Sequence, residues 1–348
     1  MSEYVEKISN EDLIKYWETF FEGKLKKEEI DEMLEEVSGT NLKKIIDENK
    51  VIDTSVVDSL IWGKINNEEF FQEILKFLND KNCWVYFFEP ILKKYIDEFI
   101  DLVNESDIIY DTNIFLMQSV SSVLSQLNQM AYQSIIVELY YAKQSNLLKG
   151  NSKEERGTYF SDVLLRDDKY RKEVYLNYPE LIRMLDVKAR YTIEFIIKII
   201  NDTSKEIHNI EACLNNNNNM GKIKEIHLGE GDTHNKGTSV AKLIFDTNVI
   251  ILYKPHNLDM DKQYYNFIEW VNSLEILDDV KEKLFAVKVY TIEDAGWAEF
   301  IKHTQCDSKE ELDYFYYRIG RMLCLLHTLN GNDMHHENVI AYKDMPVL

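Results

Sequence analysis

Glycine and proline punctuate this chain so rarely that long helices are its natural product: 12 Gly and 4 Pro occur in 348 residues. A sandwich or barrel of many short strands needs a turn every few residues, and turns draw heavily on those two residue types. The apolar residues agree. Ile91, Leu92, Tyr95, Ile96, Phe99, Ile100 and Val103 recur at spacings that stack them on one helix face. A second stretch, from about Ser119 to Lys143, contains neither Gly nor Pro. In the loop after it, LLKGNSKEERGTYF, Ser152 and Glu155 have the spacing of a capping box opening the next helix. Pro179 suits a helix's first turn, and Phe195, Ile196, Ile199 and Ile200 continue the pattern. Core packing accounts for all of these stripes.

The length fits about two domains. Five consecutive asparagines, Asn215 to Asn219, have no apolar face and compete with the backbone for its hydrogen bonds, so they form a loop or linker. We place the boundary there, with a helical part at 1–214 and a mixed part at 215–348. The overall class is α+β. In the mixed part, TSVAKLIF and VIILYKP read as a hairpin turning at Asp246, Thr247 and Asn248. Before it lies GEGDTHNKG, a glycine-punctuated loop from Gly229 to Gly237. A helix is expected from about Asp261 to Ser273, and a strand over Leu284–Tyr290. A further helix is expected over Glu310–Leu329, with Leu312, Phe315, Tyr316, Ile319, Leu323 and Leu326 on its apolar side.

Charge excludes one class of partner. With 61 acidic and 40 basic side chains the net charge is −21, the wrong field for a general nucleic-acid binder. The four cysteines, Cys83, Cys213, Cys306 and Cys324, form no C-x-x-C pair and stand at no zinc spacing from the histidines. They read as free, mostly buried thiols of a reducing compartment. The first residues lack a signal peptide's basic and then apolar run. No apolar run approaches the roughly 20 residues that cross a bilayer. The expectation is a cytoplasmic protein without a membrane span.

Two groups of residues carry chemistry. Lys254 ends the second hairpin strand. Alone it would be a solvated strand-end lysine, but protein kinases place a phosphate-binding lysine on the third strand after a glycine-rich loop. Glycines let backbone N–H groups approach phosphates closely. Asp333, His335 and Asn338 form D-x-H-x-x-N, with the Asp-to-Asn spacing of the kinase catalytic loop. The position of the histidine is closer to the D-R-H-x-x-N loop of phosphoinositide-3-kinase-like enzymes. The plainer reading is a polar turn after a helix. His336 and Glu337 read as surface residues. His208, His227, His256, His303 and His327 are scattered and carry no role.

Taken together, GDTHNKG with Val240 and Ala241, LYKP, GWAEFI at Gly296–Ile301, Cys306, LNGNDMHHENVIA and MPVL resemble the class II lanthipeptide synthetases. LLKGNSKEERGTYF and YPELIRMLD resemble them too, so the likeness runs from about Phe70 onward. It implies a cytoplasmic dehydratase with a helically elaborated, lipid-kinase-related lobe. Such a lobe phosphorylates Ser and Thr of a precursor peptide with ATP and Mg²⁺, then eliminates phosphate to give dehydroalanine or dehydrobutyrine. By position, Asp333 would be the catalytic Asp, supported by His335, and Asn338 would bind metal. Asp232 and His234 match catalytic positions of the phosphate loop. Lys254, with Gly231, Lys236 and Gly237, would hold the nucleotide. The sequence does not name the partner of Lys254; Glu269 and Glu299, both expected on helices after the hairpin, could each pair with it.

The sequence also departs from that family. No second metal-binding carboxylate follows Asn338, and Asp344 reads as a turn residue between strands. The chain stops at Leu348, before the rest of the catalytic lobe and the zinc cyclase. The expectation is a truncated piece without activity of its own, the alternative role being a peptide-binding or interaction module.

Overall fold

A computed structural model describes residues 54–79, 84–231, 237–274, 283–332, 335 and 338–348, with isolated positions at 26, 28, 29, 32, 33 and 35. In chain order the elements begin with α1 (Ser55–Asp58), α2 (Glu68–Asn79) and a 3-10 turn at Val85–Phe88. The helices α3 (Glu89–Glu105), α4 (Thr112–Gln144), α5 (Lys153–Tyr159), α6 (Asp168–Asn177) and α7 (Pro179–Leu214) follow. Then come β1 (Ile223–Leu228), β2 (Ala241–Phe245), β3 (Ile250–Lys254), α8 (Asp259–Asn272), β4 (Val289–Thr291), β5 (Gly296–Glu299), α9 (Lys309–Thr328), β6 (Ile340–Tyr342) and β7 (Met345–Val347).

The described elements fall into two compact units. The first gathers the described residues up to Lys64 with those of Asn82–Lys94 and with Met130–Val187. Its capping box forms as the spacing predicts: the Ser152 hydroxyl accepts from the Glu155 N–H at 3.0 Å, and the Glu155 carboxylate accepts from the Ser152 N–H. Such a cap is worth about 1 kcal/mol. At its centre Arg171, only 3% exposed, donates to the Tyr86 carbonyl and to Glu89, each at 2.6 Å, and also meets Asp168. Lys93 stands 3.0 Å from the same Glu89. Burial pushes the Glu89 carboxyl up, but Arg171 and Lys93 outweigh it and hold the group below the usual range.

The second unit gathers Ile65–Lys81, Tyr95–Gln129 and Lys188–Leu348. Its centre is a five-stranded antiparallel sheet in the order β1-β2-β3-β5-β4, with α8 connecting β3 to β4. The hairpin predicted around Asp246–Asn248 is β2–β3, in the register Ala241 to Tyr253 and Leu243 to Ile251. Asn248 takes the left-handed conformation that this short turn needs, at φ 66°. One sheet face packs on α7. Tyr253 donates its hydroxyl to Asp202 at 2.7 Å, and Trp297 donates its indole N–H to Thr203 at 3.1 Å. Lys198 bridges Asp202 and Asp294 at 2.8 Å each. Of the expected α3 stripe, Ile91, Leu92, Ile96, Phe99, Ile100 and Val103 are fully covered, and Tyr95 is half-buried.

Three expectations need correction. The strand expected over Leu284–Tyr290 pairs only at Val289–Thr291. Leu284 instead exchanges both backbone groups with the Asn272 side chain, at 2.8 and 3.0 Å, which replaces a ladder partner. On α9 the buried residues are Arg318, Met322 and Leu326, whereas Leu312, Tyr316 and Leu323 are exposed. The helix turns toward the β6–β7 hairpin because Arg318 reaches Asp344, its guanidinium 2.7 Å from the carboxylate. The described cysteines are free, but they are not mostly buried: Cys213 and Cys306 are half-buried and Cys324 is exposed. Cys83 lies outside the described residues. Among the described residues no helix is long and apolar enough to cross a membrane.

Candidate functional site

The glycine-punctuated loop joins β1 to β2, so the sheet itself holds both of its ends. Glu230 donates its N–H to the Val240 carbonyl at 3.1 Å, and the Ser239 hydroxyl accepts the Gly229 N–H at 2.9 Å. Gly231 and Gly237 frame the loop. Gly237 sits at φ +78°, a conformation that side chains rarely adopt. Asp232, His234 and Lys236, assigned to catalysis and nucleotide binding from the sequence, lie outside the described residues. Sequence reasoning missed a neighbour of this loop. Lys188 of α7 places its ammonium 3.4 Å from where a Cβ on Gly237 would stand. It is half-buried, burial alone pulls its pKa down, and it has no carboxylate partner among the described residues. A lone lysine on a helix gives no spacing signal toward a loop this far along the chain.

Lys254 ends β3 opposite Gly296 of β5. Its ammonium is 3.2 Å from Asp261, so the partner is neither Glu269 nor Glu299. Asp261 lies in the first turn of α8, and that helix starts close enough behind the strand for a short side chain to reach back. Glu299 instead accepts the Lys288 N–H at 3.3 Å. A side chain at Gly296 would collide with Leu258, which packs with Val289 and Ala298 under this end of the sheet.

Asp333 lies outside the described residues, as do His336 and Glu337. His335 and Asn338 are brought together: the Asn338 N–H donates to the His335 carbonyl at 3.0 Å, and the amide nitrogen stands 3.4 Å from His335 Nε2. Asp344 is a turn residue between β6 and β7, as expected, and is the partner of Arg318. That ion pair fixes the hairpin directly after the His335–Asn338 segment.

Beside the loop runs a groove of about 880 Å³. One wall is β1 with Ile226 and Leu228; the other is α4, which presents Gln118, Ser121, Ser122 and Ser125. Its end is formed by Gly229, Glu230, Gly237 and Ser239, the base of the glycine loop.

Residues 178–348 match the family described as a domain of unknown function, DUF4135. The chain is 26% identical over 269 residues to the lacticin 481/lactococcin biosynthesis protein LcnDR2 of Lactococcus lactis subsp. lactis. That match covers 76% of this chain and 27% of the relative, so the chain spans about a quarter of the relative's length. The resemblance to the class II lanthipeptide synthetases therefore holds.

Proposed function

We propose that this chain forms part of a lanthipeptide dehydratase, a kinase-like lobe that phosphorylates Ser and Thr of a precursor peptide and then eliminates the phosphate. One observation carries the reading. A glycine-punctuated loop joins the first two strands of the sheet, and a lysine ends the third, held by a carboxylate of the following helix. Protein kinases use this layout for nucleotide phosphates. The relative's name, a lantibiotic biosynthesis protein, supports a peptide substrate.

Phosphoryl transfer asks a protein mainly for positioning and charge. The substrate hydroxyl oxygen bonds to the γ-phosphorus of ATP, its proton passes to Asp333, and ADP leaves. Lys254 and Lys188 neutralise phosphate oxygens, and the loop glycines admit backbone N–H donors. Asp232, His234 and Lys236 belong to the same loop, and we assign them to handling phosphate. Mg²⁺, a hard cation, would screen the phosphate charge and takes oxygen ligands. Asn338 offers an amide oxygen, because its nitrogen is engaged with His335. In the elimination a base of the loop, Asp232 or His234, takes the α-proton of the phosphorylated residue while its Cβ–O bond breaks and phosphate leaves, giving dehydroalanine or dehydrobutyrine.

The test is mass spectrometry of a precursor peptide incubated with ATP, Mg²⁺ and a full-length synthetase that carries this segment, as wild type and as Lys254→Ala. Gain of phosphate or loss of water that disappears in Lys254→Ala supports the reading, and modification that is indifferent to Lys254→Ala refutes it. The open groove beside β1 favours a second reading, a module that only binds peptide.

A further inference from the structure

We infer that the outer edge of β1, from Glu225 to Leu228, is a docking strand for an extended segment of a peptide, which enters the groove against α4 and pairs with Ile226 and Leu228 as a sixth strand. The inference rests on the peptide substrate proposed above and adds where the backbone is held.

The hydrogen-bond phase of the sheet leads to it. The Phe245 N–H donates to the Val249 carbonyl at 2.9 Å, so Phe245, Leu243 and Ala241 bond toward β3. Ile244 and Lys242 then bond toward β1, where they face Glu225 and His227. The N–H and C=O of Ile226 and Leu228 therefore point out of the sheet, into the groove. Beyond the β2 ladder no described residue meets them. Exposed strand edges of this kind take up extended backbone from another chain.

The chain already uses this edge one step earlier. Ile223 donates to the Ile108 carbonyl at 2.7 Å and accepts from the Tyr110 N–H at 2.9 Å, a parallel pairing. After Tyr110 the backbone leaves to begin α4, and the edge continues uncovered beside that helix. The groove is the space left between them, so a docked peptide would continue an existing pairing. Four residues of edge at about 3.3 Å each hold roughly four residues of peptide.

The lining chooses the occupant. Among the described residues that line the groove there is no lysine or arginine; Glu225 is the carboxylate on the β1 wall, beside His227, while Glu230 at the groove's end is paired with Lys242 at 2.9 Å. A polyphosphate is disfavoured there, and an uncharged or basic peptide is favoured. Facing the edge, Gln118, Ser121, Ser122 and Ser125 offer side-chain donors and acceptors to the groups the peptide turns away from β1. The groove ends at Gly229 and Gly237, so a residue of the peptide just past the docked segment arrives at the phosphate loop.

The test uses a fluorescein-labelled synthetic peptide, Lys-Val-Ser-Val-Thr-Val-Ser, and fluorescence anisotropy with the full chain. Ile226→Pro deletes an outward N–H and leaves the β2 ladder, a placement that edge strands tolerate. Binding should weaken roughly tenfold, with unchanged far-UV circular dichroism. N-methylation of alternate peptide amides should abolish binding in one phase and spare it in the other. That signature survives even if the proline variant misfolds. No binding, or binding indifferent to both changes, overturns the inference, and dehydration of a precursor in the mass assay would still stand or fall separately. Concentration-dependent dimers that Ile226→Pro abolishes would give the edge to a second copy of this chain and overturn it as well.

Discussion

Replacing Arg318 by methionine should cost about 3 kcal/mol, a figure that can be built from its contacts. The guanidinium is 2% exposed and donates to the Lys283 carbonyl at 3.2 Å, the Asp344 carbonyl at 2.8 Å and the Asp344 carboxylate at 2.7 Å. Methionine keeps much of the packing volume and removes every donor. Each carbonyl left without a partner costs about 1 kcal/mol. Loss of the ion pair adds about 1 more, toward the low end for a buried pair because the Asp344 side chain is 29% exposed. Urea denaturation followed by tryptophan fluorescence reads the midpoint, with Asp344→Asn as the milder comparison. A loss below about 1 kcal/mol for Arg318→Met would mean that the hairpin after Asn338 is held by something else. The assignment of Arg318 as its anchor would then be wrong.

Three further outcomes follow from the same geometry. Burial pushes the Glu138 carboxyl up, only partly opposed by the Tyr178 hydroxyl donating to it at 2.7 Å. The folded state therefore holds this proton more tightly, and stability falls as pH rises above the unfolded carboxylate value. Glu138→Gln should flatten that decline and be more stable at neutral pH, and a stability curve unchanged by the substitution would contradict it. Gly237→Ala should cost about 1 kcal/mol at φ +78° and press on Lys188. Gly231→Ala meets only Val240 at 3.6 Å and should leave stability nearly unchanged, so an equal loss of stability in both variants would deny Gly237 its special place. Lys254→Ala should weaken ATP binding severalfold, and Asp261→Asn less so, measured by titration calorimetry; wild-type affinity in Lys254→Ala would remove the lysine from the site.

What the sequence discloses and what it hides divide along physical lines. The capping box at Ser152, the turn at Asp246–Asn248 and the α3 stripe are local, set by residues within a few positions of one another, and all are found. β1 escapes notice because a bulge between Ile223 and Glu225 breaks the alternation that marks a strand. The face of α9 is misread because a buried arginine decides it, and its partner Asp344 is fixed only by tertiary structure. The site divides in the same way. The loop glycines and Lys254 belong to recognisable local patterns, whereas Lys188 and Asp261 join them through the packing of α7 and the start of α8.

Adjacent residues on β3 face opposite ways, and this settles how Lys254 can move. Tyr253 is fully buried, and its hydroxyl is tied to Asp202, which Lys198 in turn clamps to Asp294. The strand is thus bolted to a 36-residue helix on the side away from the lysine. Repositioning the main chain at Lys254 would tear the phenol from its acceptor inside a packed layer. Repositioning the ammonium needs only a few side-chain rotations away from Asp261. A nucleotide arriving at the proposed site would meet a rigid strand from which the Lys254 ammonium alone swings, and that contact would form at the pace of rotamer exchange, with no rearrangement of the sheet.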